Sequence, residues 1–206
     1  MCFSAVADFS AGTGVACVGA LTLSQVRARN ELLVAMLPLA FGLHQVVEGF
    51  VWLGLEGHVS PGLYGAARQL YLIFAQGLLP IIVPLGFLLL ERRCRLLPFA
   101  LGGAALGSYL LVEVLADPTS AFINSHCVDY VTQAPDSDLL GAAYLLVTCG
   151  PALISDAPRL RAFGAIALLG AIAVAIVKAD LLTSVWCVYV ALISVLLLLH
   201  FRATRP

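Results

Sequence analysis

Charge is scarce in this sequence. Lys, Arg, Asp and Glu make up 11% of its 206 residues, against 61% hydrophobic residues and a mean hydropathy of +1.00. Soluble domains carry about 25% charged residues, so this chain cannot clothe a water-exposed surface, and its solvent is lipid. There is no run of basic residues and the formal net charge is −1, which argues against nucleic acid as a partner. Fingerprints of the G-x-S-x-G, H-E-x-x-H, P-loop and dinucleotide-binding types are missing. The six cysteines form no C-x-x-C. An internal repeat is also lacking, so an inverted-repeat transporter is not supported. Positive charge is absent ahead of the first apolar stretch, where a cleaved signal peptide carries it, so that stretch reads as a retained span.

What is present is apolar length. Seven stretches stand out, about Ala5–Val26, Leu32–Leu55, Pro61–Leu90, Leu96–Ala116, Leu139–Ile154, Leu160–Val177 and Leu181–Phe201. A helix needs roughly 20 apolar residues to cross the hydrocarbon core, so seven spans leave only short loops and a single all-α bundle over residues 1–206 is expected. The fifth stretch is short, and the third is long enough to tilt. Pro80 and Pro84 lie inside the third; each removes a backbone donor, predicting a kink near Leu79. Nine of the eleven basic residues fall after spans one, three, five and seven, at Arg27/Arg29, Arg92/Arg93/Arg95, Arg159/Arg161 and Arg202/Arg205. Cytoplasmic loops collect Lys and Arg, so the N-terminus is predicted outside and the C-terminus in the cytoplasm. The longest connection, residues 117–138, is then external, and its length predicts a lid or packed cap. Cys2 and Cys127 share that side, where a disulfide is permitted. With His126 they could also hold zinc, at a spacing that matches no standard site.

Ionisable residues inside spans are costly and mark functional candidates. His44, Glu48 and Trp52 recur every four residues and share one helix face, as do Tyr109, Glu113 and Asp117. In the predicted orientation these groups, with Asp8, Arg68, Lys178 and Asp180, sit toward the outside, and the inner halves of the spans carry almost no charge. Asp8, Arg68, Lys178 and Asp180 also suit ordinary interfacial positions near helix ends. A polar chamber in the outer half of the bundle is therefore expected, centred on Glu48, with His44 donating to it or else to a backbone carbonyl. Burial in hydrocarbon disfavours the carboxylate, and a neutral carboxylic acid in an apolar, aromatic-walled chamber is a usable Brønsted acid. Trp52, Trp186, Tyr109 and Tyr144 are candidates to offer π faces to a cation; for any one of them, belt or core packing is the commoner role. Gln45 is added to them as a substrate-binding candidate.

Six segments, MCFSA (Met1–Ala5), PLAFGLHQVVEGFVWL (Pro38–Leu53), SHCVDY (Ser125–Tyr130), YLLVTC (Tyr144–Cys149), FGAIALL (Phe163–Leu169) and SVWC (Ser184–Cys187), resemble a family of small bacterial membrane proteins that begin Met-Cys-Phe-Ser-Ala. The pattern of that family has Gln at the position of His44, and many members lack a lysine like Lys178. The resemblance extends to membrane-embedded terpene cyclases of bacterial indole-sesquiterpenoid pathways. Fungal meroterpenoid cyclases are similar in size and span number, and also rely on acids in separate spans. It implies residence in the bacterial plasma membrane and a hydrophobic prenylated small molecule as substrate. The implied chemistry is protonation of a prenyl alkene or epoxide, with cationic ring closure and no cofactor or metal. Glu48 would be the leading acid, Asp180, Glu113 or Asp117 a second carboxyl, and His44 a group that tunes Glu48. Trp52, Trp186 and Tyr109 would stabilise the cations.

The alternative is a non-enzymatic protein that binds or transports a hydrophobic ligand, with its carboxyls paired to Arg68 and Lys178. Geometry separates the two: Glu48 facing an enclosed apolar cavity favours catalysis, and Glu48 paired to Arg68 favours structure or binding. A proton-coupled carrier needs a relay through both halves, and the nearly charge-free inner half argues against it.

Overall fold

The structure, a computed structural model, describes residues 4–116, 118–124, 127–133, 137–178 and 182–203. Six helical stretches among them are long and apolar enough to cross a membrane: Ala5–Leu23, Arg29–Leu55, Pro61–Glu91, Cys94–Ala116, Pro158–Ile176 and Ser184–Ala203. A seventh apolar helix, Asp138–Leu153, has 16 residues. In sequence order the helices are α1 (Ala5–Leu23), α2 (Leu32–Ala35), α3 (Leu37–Leu55), α4 (Pro61–Leu72), α5 (Leu79–Glu91), α6 (Leu97–Ala116), α7 (Asp138–Leu153), α8 (Pro158–Lys178), α9 (Leu182–Ile193) and α10 (Val195–Ala203). Their outward faces are apolar, with Leu139 81% and Ile176 80% exposed. Apolar residues at that exposure fit a lipid-facing wall and not a wet one. An integral membrane protein of helical type follows.

The most extensive helix–helix contact among the described residues is between α1 and α3, and glycine makes it possible. α1 buries Ala5, Asp8, Gly12, Val15, Gly19 and Thr22, a stripe at helical spacing. A Cβ on Gly12 would stand 2.8 Å from the Gly42 carbonyl oxygen, and one on Gly19 only 2.2 Å from the Leu39 nitrogen. Small residues facing each other let two backbones meet, as in small-xxx-small packing within membranes. The same device joins α6 to the helix before it. Gly103 lies against the Pro80 carbonyl, 2.1 Å from where its Cβ would be, and Gly107 against the Gly77 carbonyl.

The predicted kink near Leu79 takes a specific form. Residues Ile73–Leu78 form a π-helical turn between α4 and α5. Pro80 has no N–H to give the carbonyl four residues back, and the Leu79 N–H bonds to Phe74 O, five residues back. π turns of this kind are common where a helix serves a site.

The all-helix expectation needs one correction. The long connection after α6 contains an antiparallel hairpin, β1 (Ser120–Asn124) and β2 (Cys127–Val131), paired from Ser120↔Val131 to Asn124↔Cys127. Its Phe122, Ile123, Val128 and Val131 are strand formers, a short-range signal that the turn-rich surroundings obscured. Val128 is buried with Val51, Trp52 and Ala67, and the Tyr64 hydroxyl donates to Ala121 O at 3.3 Å. The hairpin therefore packs on the end of the bundle formed by the C-terminus of α3 and the start of α4.

The opposite end is held by polar contacts. Glu91 Oε1 accepts from the Ser155 hydroxyl and from the Asp156 backbone N–H. Arg95 reaches Asp156 Oδ1 at 2.5 Å, and Arg93 reaches Oδ2 at 3.4 Å. The Arg95 hydrogen bond holds the Asp156 carboxyl below its ordinary value of 3.8. A carboxylate with a lowered folded value stabilises the fold above its unfolded value and loses that contribution as pH falls through the folded one. Asp156→Asn is accordingly expected to lower the melting temperature slightly at neutral pH, a surface pair being worth little. The difference from wild type should disappear on acidification well below pH 3.8 and shrink in high salt; thermal melts over pH and salt check it.

Candidate functional site

α3 delivers the polar stripe that its spacing predicts. His44, Gln45, Glu48 and Trp52 are all buried, Gln45 and Glu48 to 0% exposure. The Gln45 Nε2 group donates to Glu48 Oε2 at 3.2 Å and to Asp8 Oδ1 at 3.3 Å. Ser184, at the start of α9, donates to Glu48 Oε1 at 2.5 Å. Asp8 is itself at 0% exposure, carried there by the glycine seam that sets α1 against α3. The indole N–H of Trp52 lies beside the Asp8 carboxyl. Four residues from three helices, Asp8 on α1, Gln45 and Glu48 on α3 and Ser184 on α9, thus converge on one buried cluster of two carboxyls, an amide and a hydroxyl.

Neither carboxyl forms an ion pair among the described residues. Arg68, the cation expected to pair with Glu48 in a structural role, stacks its guanidinium on the Tyr64 ring at 5.1 Å. The Glu48–Arg68 pairing expected of a purely structural role is not formed.

His44 behaves differently from expectation. It makes no hydrogen bond to Glu48; its ring stacks on Tyr71 at 4.0 Å and tilts against Phe74 at 4.7 Å. Glu48 already accepts from Gln45 and Ser184, and the imidazole gains more by joining the aromatic side. Tyr130 of β2 stacks on the other face of this group, 4.3 Å from Tyr71, and Phe41 meets Phe74 edge-on at 6.1 Å. A column of rings therefore runs from the hairpin into the bundle, alongside the carboxyl cluster.

The other candidates divide. Trp186 donates from its indole to Ala167 O at 3.0 Å and stands edge-on to Tyr144 at 6.0 Å. Tyr144 donates its hydroxyl to Ala75 O. That carbonyl lies in the π turn: its i+4 donor, Leu79, is engaged by Phe74, and its i+5 neighbour is Pro80. Tyr144 supplies the donor that the backbone cannot. Tyr144→Phe should leave a buried carbonyl unsatisfied and cost about 1–3 kcal/mol, read as a lower melting temperature in detergent. Tyr109 is 41% exposed on α6 and faces outward, not into the cluster. Glu113, half-buried on the same helix, makes no hydrogen bond to Glu48. Asp117 and Asp180 lie outside the described residues, as do Cys2 and His126; Cys127 carries a free thiol. Among the described residues no three His, Cys, Asp or Glu side chains come together as a metal site requires.

A small apolar cleft lies deeper, between Phe41, Leu79, Val83, Phe163, Trp186 and Val190. It reaches Trp186 but is not lined by Glu48.

Sequence reasoning placed Asp8 toward the outside, at a position that also suits the interface, and missed Ser184, Tyr71 and Tyr130. A signal for Asp8 existed, since it lies in register with Gly12 and Gly19 on α1. Ser184 offered none.

The fold and cluster define a helical membrane protein with a buried pair of carboxyls that has no ion-pair partner among the described residues. Over its whole length, residues 1–206, the chain matches the sequence pattern of DUF6629, a family of unknown function, and it belongs to that family. No curated protein and no solved structure matches it.

Proposed function

We propose that the chain is a seven-span protein of the bacterial plasma membrane, N-terminus outside and C-terminus in the cytoplasm. In that membrane it acts as a terpene cyclase that protonates an alkene or epoxide of a prenyl chain. The topology is supported by the arginine-bearing connections. Asn30 bonds to Leu90 O at 3.3 Å, and Arg95 pairs with Asp156, so the connections after α1, α5 and α7 share one end. The hairpin packs where α3 ends and α4 begins, and would serve as an external lid over the cluster.

The observation that carries the enzymatic reading is the state of Glu48. It is fully buried, oriented by two donors, and paired with no cation among the described residues. Two bare negative charges are not tenable in hydrocarbon, so the pair holds a proton, and a fixed, buried carboxylic acid is a Brønsted acid aimed at a weak base. Protonation gives a carbocation, and Trp52, Trp186 and Tyr144 offer ring faces on the way to the deeper cleft. Glu113 has no contact that would make it the second carboxyl.

The second reading, a hydrophobic-ligand carrier, is favoured by one observation: the described cleft is lined mainly by apolar side chains, with Thr148 beside them, and does not include Glu48. The two separate in one assay. Membranes containing the protein are incubated with a farnesylated aromatic acceptor and extracted for mass spectrometry. An isomeric cyclised product that depends on Glu48 supports the cyclase. Retention of the unchanged probe, equal in wild type and Glu48→Gln, supports the carrier.

A further inference from the structure

We infer that Asp8 is the second carboxyl of the Glu48 site, the two acids sharing one proton across the Gln45 amide. The inference rests on the proposed acid role of Glu48 for its catalytic meaning, though not for its physical test.

The argument begins with position. Both carboxyls are at 0% exposure, and both accept from the same nitrogen, Gln45 Nε2. Among the described residues no cation is paired with either acid. On α4, Arg68 lies on Tyr64 and Tyr71 lies in the ring stack. On α3, His44 is turned into that stack; on α9 there is the Cys187 thiol, and on β2 Tyr130. Two adjacent carboxyls without a cation cannot both ionise in a medium of low dielectric. One proton held between them removes the conflict.

A second observation points to Asp8 as the working partner. Asp8 Oδ2 and Gln45 Oε1 are buried acceptors with no hydrogen-bond partner, and buried acceptors in native proteins are seldom left so. The glycine seam makes the placement deliberate: a Cβ on Gly12 would stand 3.0 Å from Gln45 Cβ, so the close approach of α1 sets the amide between the acids.

The chemistry balances. Glu48 transfers its proton to the prenyl chain, forming a C–H or O–H bond and leaving a carboxylate and a carbocation. After ring closure a C–H bond beside the cation breaks and its electrons form an alkene. The proton goes to Asp8 Oδ2, and passage to Glu48 restores the pair. No proton is consumed, as an isomerisation requires.

The test is infrared titration of the protonated-carboxyl C=O band in the full chain, reconstituted in lipid bilayers. Strongly interacting acids release their protons in two macroscopic steps, more than about one pH unit apart. Wild type should show two such steps, and Asp8→Asn and Glu48→Gln one each. An Asp8→Asn protein whose Glu48 band titrates as in wild type overturns the proposal. Should that variant not fold, Asp8→Glu moves the oxygens by one methylene and must still displace the Glu48 step. In the farnesylated-acceptor assay, Asp8→Asn should lower turnover at least tenfold with smaller change in KM. If wild type makes no cyclised product, the cyclase reading fails and the two-step titration still decides whether Asp8 and Glu48 are paired.

Discussion

Glu48→Gln should abolish cyclisation while leaving the bundle folded. Loss of a general acid costs about 10²–10⁴-fold in rate, and the substitution is nearly isosteric. Its structural effect is contained by the neighbours. The new amide oxygen still accepts from Ser184, as the carboxylate does now at 2.5 Å. The new amide nitrogen would face Gln45 Nε2, a clash of donors. Gln45 relieves it by turning its amide over, which gives up the Nε2 bond to Asp8 Oδ1 and lets a protonated Asp8 donate to Oε1, an acceptor with no partner now. Glu48→Leu offers no such rescue: Ser184 loses its Glu48 acceptor and Gln45 keeps only Asp8, at about 1–3 kcal/mol for a buried group left unpaired. Comparing the two variants separates chemistry from stability. Single-turnover product formation, measured by mass spectrometry beside a thermal melt, is the decisive pair of readings. An unchanged rate in Glu48→Gln would remove this residue from the role of acid.

The helical architecture was legible because it depends on little besides apolar length. The stretches read from composition coincide with the observed helices to within a few residues, α8 beginning at Pro158 where Leu160 was expected. The stripe of His44, Glu48 and Trp52 was legible for the same kind of reason, since helical periodicity alone puts those residues on one face. What lay beyond reach depends on contact between elements. Asp8 is in the first turn of its helix, where an acid usually faces the interface, and only the approach of α1 to α3 carries it into the interior. The direction of the His44 ring is a choice between a carboxyl and an aromatic stack, decided by Tyr71, which is 27 positions away in sequence. Proline predicted a disturbance at Leu79, but its π form depends on which residue satisfies Ala75 O, and that residue is Tyr144 from another helix.

Gly42→Val is expected to be the most damaging single substitution outside the carboxyl cluster. A Cβ at this position would stand 2.4 Å from Ala16 N, 2.7 Å from Ala16 Cα and 2.8 Å from Gly12 O. All three are backbone atoms, so no side chain can turn aside, and α1 must move bodily away from α3. Overpacking a tight contact costs about 1–3 kcal/mol and sometimes more, and here the rest of the seam opens with it, since Gly19 abuts the Leu39 backbone. Displacing α1 also withdraws Asp8 from Gln45, so the two-step carboxyl titration should collapse even in molecules that remain folded. Gly14→Ala is the control. Nothing lies within 4 Å of its added Cβ, and replacing an exposed helical glycine by alanine is worth up to about 1 kcal/mol in the stabilising direction. Melting temperatures of the two variants in one detergent should therefore move in opposite senses. Equal shifts would mean that α1 and α3 are not held by their glycines.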